Sequence, residues 1–238
     1  MRSVYKHIPA ILGFLLTVSF GIDGRWSTQE FCWSTWLTGL IYTWALAFTV
    51  TLSLILHSGH HKKMLLNRFP ITHRIPSTLL SLLIAGVALG GGYVAFRAIT
   101  FFFGFYGLFL SFFAEMEPHE FFGRNGFINS DFFTPCRYLL NRYWPMVIAI
   151  LLANWQDLLP RQDLVQKLKI IRMEIIRMHL FVLFFPFVAL IAWLILRTGY
   201  HPVTILIMSA LLVFSPKPGR QSDQQVRRGD LNPEERSS

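Results

Sequence analysis

From Trp33 to Leu56 the chain runs 24 residues without a charged side chain, and from Thr78 to Ala114 it runs 37 with only one, Arg97. Peptide groups in lipid have no water to bond, so such stretches are stable only as helices that satisfy their own backbone. About 20 apolar residues cross a ~30 Å hydrocarbon core. These runs set the expected fold class: an all-α, polytopic integral membrane helical bundle. Composition points the same way. Charged residues make up 15% of the chain, against the ~25% that covers a soluble domain. The 23 Phe suit hydrocarbon, and the 7 Trp and 7 Tyr suit the headgroup zone.

The pattern predicts spans at about 8–22, 33–57, 143–159, 175–196 and 202–215, with 78–114 ambiguous. The first run follows basic residues and could pass for a signal peptide; we read it as a retained span. Residues 160–174 are expected to form an amphipathic interfacial helix. There Leu164, Leu168, Ile171, Ile175 and Met178 make one apolar stripe, with Asp163, Lys167, Glu174 and Arg177 on the far face. The stretch from Glu115 to Arg142 reads as a polar loop, and 216–238 as a disordered cytoplasmic tail. Close helix contacts are expected at Gly86, Gly90 and Gly91.

As one helix, 78–114 would measure about 55 Å, long for a single crossing. A break at Gly90-Gly91-Gly92 or a turn near Arg97 would let it cross twice. The positive-inside rule chooses. With a cytoplasmic N-terminus and one crossing, 16 Lys and Arg fall inside and 5 outside. With two crossings the split is 10 inside and 11 outside. Six crossings with both termini cytoplasmic is therefore the expectation, and seven the alternative. The net charge of +9 is accordingly topological; no basic-aromatic module accompanies it, so nucleic acid is not an expected partner. The expected partners are the lipid bilayer and other membrane subunits.

Three segments carry a resemblance. Trp33–Thr43, the run Phe101-Phe102-Phe103-Gly104-Phe105-Tyr106-Gly107, and Arg177-Met178-His179 opening a late span resemble, in order, a prokaryotic multi-pass membrane family whose function is unknown. The resemblance covers most of residues 8–214 and implies a fold but no activity; the expected location is the cell (inner) membrane. Phe105 stands where that pattern has His before Tyr-Gly, which puts any His-dependent role there in doubt.

Few residues point to chemistry. His57-Ser58-Gly59-His60-His61 has a spacing that resembles one histidine box of membrane di-iron desaturases and hydroxylases. Imidazoles at i and i+4 can share a metal, so His57, His60 and His61 are the candidate metal or haem ligands. A polar helix end is the plainer reading, since Lys62 and Lys63 follow directly. No resident cofactor is expected otherwise. Arg97 is a charge in an apolar run, a functional candidate by its cost, or a side chain that snorkels to phosphates. Glu115, Glu117, His119 and Glu120 form an acidic cluster, and His179 opens a late span. Asn154, Gln156 and Asp157 would cap a helix end or line a polar cavity. Cys32 and Cys136 fall on one side and could form a disulfide; buried free thiols are the alternative. Two functions follow: a small non-enzymatic transport component or accessory subunit, or a membrane enzyme with a metal or haem on cytoplasmic-side histidines. A transporter with its own pathway is a third, with few intramembrane polar residues to serve it.

Overall fold

The computed structural model describes residues 8–23, 26–59, 76–111, 114, 133–159 and 164–214. Among them every element is helical. We number the helices α1 (Ile8–Asp23), α2 (Thr28–Leu56), α3 (Ser77–Ser111), α4 (Phe133–Ala153), α5 (Leu164–Leu196) and α6 (Tyr200–Phe214). Short 3-10 turns at Trp155–Leu158 and Arg197–Gly199 follow α4 and α5. Three helical stretches are long and apolar enough to cross a membrane: Thr28–Leu56, Ser77–Ser111 and Gln166–Leu211. The turn at Arg197, whose φ is +55°, divides the last into α5 and α6.

The central helix is α2, which packs on α3, α4, α5 and α6. Every residue from Phe31 to Leu40 is buried. A helix apolar around its whole circumference belongs inside a bundle, and its polar side chains satisfy themselves locally. The Thr35, Thr38 and Thr43 hydroxyls donate to carbonyls one turn back at 2.6–2.9 Å. The helix begins at Thr28, five residues before the apolar run, because Ser27 and Glu30 form a reciprocal capping box.

Contacts fix the direction of each helix. Against α2, α3 runs antiparallel: the Trp33 indole donates to the Ala114 carbonyl at 2.7 Å and that of Trp36 to Phe103 at 2.8 Å. Further along, Trp44 stacks on Phe96 with centroids 4.8 Å apart. In contrast, α4 runs parallel to α2, with Glu30 beside Arg142, Ser34 beside Met146 and Tyr42 beside Asp157. Trp26 meets Tyr143 edge-on and Gly13 meets Ala149 and Ala153, so α1 is antiparallel to α4. Thr28 bonds His201, and Gly21 touches Ile205 beside it. The helices thus alternate in direction along the chain.

Some elements follow the expectation and others differ from it. The stretch Ser77–Ser111 is one unbroken helix, about 52 Å long at 1.5 Å per residue. Three glycines remove side chains but leave every backbone donor in place, so the helix continues. The expected contacts at Gly86, Gly90 and Gly91 are not made: an added Cβ would meet nothing within 4 Å at any of them. The tight glycines are Gly13, Gly39 and Gly92. Helix α4 starts at Phe133, ten residues before the expected span, and its third turn is tied to α2 through Arg142 and Tyr143 on Glu30. Pro145 removes a backbone donor in its middle, and Tyr143 leaves the helical region (φ −116°, ψ 19°). The segment expected as an interfacial helix runs without a break into α5, as its sequence leads one to expect, but two residues expected on its polar far face are buried. Leu168 is 57% exposed, whereas Lys167 and Glu174 are 3% and 5% exposed.

Candidate functional site

The buried face of α5 reads Lys167, Glu174, Met178, Phe181, Phe185 and Ala192. These steps of seven, four and three keep one side of a helix pointing at its neighbours. Its upper part is apolar, packing on Gly39 of α2 through Met178. Its lower part is ionic. Arg177 forms an ion pair with Glu174 on the same helix, with side chains 19% and 6% exposed.

Half-way along α2, the buried Tyr42 hydroxyl donates to Asp157 at 3.2 Å. Asp157 is held there by the 3-10 turn after α4, its N–H bonding the Asn154 carbonyl at 2.9 Å. The Asn154 side chain, also buried, donates to Ile150 O at 2.9 Å and closes the helix end. Glu174 and Arg177 lie within electrostatic reach of Tyr42. The junction of α2, α4 and α5 thus gathers two carboxylates, Asp157 and Glu174, and the Arg177 guanidinium around one phenol. Charges taken out of water are tolerated only when paired and hydrogen-bonded, and the Arg177–Glu174 ion pair and the Tyr42–Asp157 hydrogen bond meet that condition.

A second polar cluster closes the opposite end. Glu30 accepts from the Ser27 N–H at 2.8 Å, from Arg142 at 2.6 Å and from the Tyr143 hydroxyl at 3.2 Å. Arg142 is half exposed, so solvent screens most of that ion pair; the cap is the larger part. Glu30→Ala is expected to cost about 1–2 kcal/mol, read as a fall in thermal stability in detergent. A change indistinguishable from zero would mean that neither contact holds the end together.

The residues singled out in the sequence do not converge. Arg97 is exposed on α3. His179 is exposed too, its ring 5.8 Å from that of Tyr106. His57 caps α2, with Nδ1 2.9 Å from Ser53 O; His60, His61, Glu115 and His119 lie outside the described residues. Among the described residues no three His, Cys, Asp or Glu side chains gather as metal ligands. Cys32 and Cys136 are both buried and both free. Asn154 and Asp157 combine the two roles expected of them, closing a helix end and joining a polar junction. Tyr42 was hidden inside a Trp-rich apolar run. Lys167, Glu174 and Arg177 passed for a solvated face, although extending the Met178–Phe181–Phe185 face backwards by heptads leads to Glu174 and Lys167. Comparison with protein-family models, curated proteins and solved structures finds no match to this chain.

Proposed function

We propose that the chain is a six-pass integral membrane protein of the cell (inner) membrane, both termini cytoplasmic, working as a non-enzymatic transport component or accessory subunit. One observation carries the membrane reading: the polarity of the bundle is inverted. Lys167 and Glu174 are buried while Ile195 is 74% exposed, Leu82 69% and Val87 68%. Water would penalise both choices, by about 1.5–3 kcal/mol for each large apolar side chain left exposed, and lipid would reward both. The unbroken α3 and the alternating helix directions agree with six crossings and with the 16-to-5 charge split.

The subunit reading rests on α3. Phe101, Phe102, Phe105 and Phe109 stand exposed along it, more aromatic surface than one crossing requires. Native mass spectrometry of protein released from membranes in mild detergent tests both parts. The expected result is an assembly heavier than the 27.6 kDa chain that is lost on Phe101→Ser/Phe105→Ser. A bare monomer would remove the subunit reading. A chain that stays folded in aqueous supernatant without detergent would remove the membrane reading.

His57 supports a second reading, a membrane enzyme with metal or haem on His57, His60 and His61. With its proton on Nδ1 directed at Ser53 O, the ring leaves Nε2 as a ligand, an arrangement common to metal-binding histidines. Metal and haem analysis of the same preparation decides; clearly substoichiometric Fe, Cu and Zn dismisses it.

A further inference from the structure

A half-open cleft of about 550 Å³ lies between α3, α5 and the first residues of α2, at the end closed by Glu30. That volume falls within the ~300–1,000 Å³ typical of small-molecule sites. Phe109, Phe187 and Leu190 form an apolar wall, and Thr28, Gln29 and Tyr200 line it with polar groups. Pro186 lines it as well; a proline within a helix cannot bond the carbonyl four residues back and opens the helix at that level.

Beside the cleft stands an unusual cation. Arg197 takes a left-handed φ of +55° at the α5–α6 turn, a conformation that side chains other than Gly, Asn and Asp seldom adopt. Its guanidinium sits 5.0 Å from the centroid of Trp193, and Trp193 lines the cleft. Backbone strain of this kind persists where surrounding structure holds it, and it gathers at binding sites. Here it folds a permanent positive charge back over the wall of an apolar slot.

An apolar slot with a planar, bidentate cation against one of its lining rings, Trp193, is complementary to an amphiphile with an anionic head. We propose that the cleft binds one phospholipid, an acyl chain lying against Phe109, Phe187 and Leu190 and the phosphodiester on Arg197. The inference rests on the membrane reading and not on the subunit reading, so a monomer in detergent can be tested equally well.

The test is native mass spectrometry in mild detergent with added phosphatidylglycerol, set against diacylglycerol of the same chains and against free glycerol phosphate. The wild-type chain is expected to bind one phosphatidylglycerol about tenfold better than the diacylglycerol, with no competition from glycerol phosphate. Ala189→Phe, which puts a ring into the slot, is expected to lose the lipid. Arg197→Gly removes the cation and relieves the left-handed backbone, so it should fold at least as well. It is expected to bind the two lipids equally, and Arg197→Lys to recover part of the preference. Equal binding of both lipids by the wild type would reduce the cleft to a plain apolar slot. Competition by glycerol phosphate would make it a free-phosphate site, and undiminished binding by Ala189→Phe would place the lipid elsewhere; each overturns the proposal.

Discussion

Glu174→Leu is expected to lower the unfolding temperature in detergent by about 10 °C. The side chain is buried and paired with Arg177, so its removal leaves the Arg177 guanidinium without its carboxylate. Breaking one partner of a buried pair costs about 3–5 kcal/mol, mostly because the surviving charge keeps its desolvation cost. A chain of this size loses roughly 2–4 °C per kcal/mol. The sign of the explanation is checked by adding Arg177→Leu. The double variant removes both partners of the pair and should recover most of the loss, since an apolar pair of similar volume often replaces a buried ion pair at no cost. Additive losses in the double variant would mean that packing, not charge balance, sets the stability of the junction. Thermal unfolding followed by tryptophan fluorescence distinguishes the two outcomes.

That junction also marks where sequence reading stopped. The apolar runs at 33–57 and 78–114 could only become helices, and they did over 33–56 and 78–111, because their backbone has no other way to satisfy itself. The capping box Ser27–Glu30 was legible as S-x-x-E, yet the apolar run beginning at Trp33 outweighed it. Buried polarity is harder to see. An amphipathic pattern identifies the core face as the apolar one, and in a lipid-facing bundle that inference reverses. Leu168 can face outward and Lys167 inward, because lipid accepts the first and protein partners accept the second. The stripe rule separated Leu168 from Lys167 and Glu174 correctly but put the charged residues on the face away from the protein, where the structure buries them. The direction of α5 within the bundle, and hence the meeting of Glu174 with Tyr42, depends on contacts more than a hundred residues apart that no local pattern encodes.

The glycines of α3 carry the same lesson to a measurable end. Gly90, Gly91 and Gly92 are indistinguishable in sequence, but only Gly92 is packed: an added Cβ there would lie 3.0 Å from Thr51 Cγ2 and 3.2 Å from Thr51 Cβ, with Thr51 Oγ1 nearer still. Thr51 cannot easily turn away. A β-branched residue in a helix has little χ1 freedom, and its hydroxyl is bonded to Ala47 O at 3.0 Å. Gly91→Leu is therefore expected to be neutral or to stabilise by up to about 1 kcal/mol, the gain in helix propensity. Gly92→Leu is expected to cost about 3 kcal/mol as it wedges α2 from α3, a difference of nearly 10 °C between neighbouring positions. Gly92→Ala should be destabilising alone and largely rescued by Thr51→Ala, which removes the two nearest atoms, Oγ1 and Cγ2. If Gly91→Leu proved as damaging as Gly92→Leu, the face of α3 turned toward α2 would be wrongly assigned. The antiparallel pairing from Trp33–Ala114 down to Thr51–Gly92 would then lose its lowest contact, and with it the geometric support for a single crossing by α3.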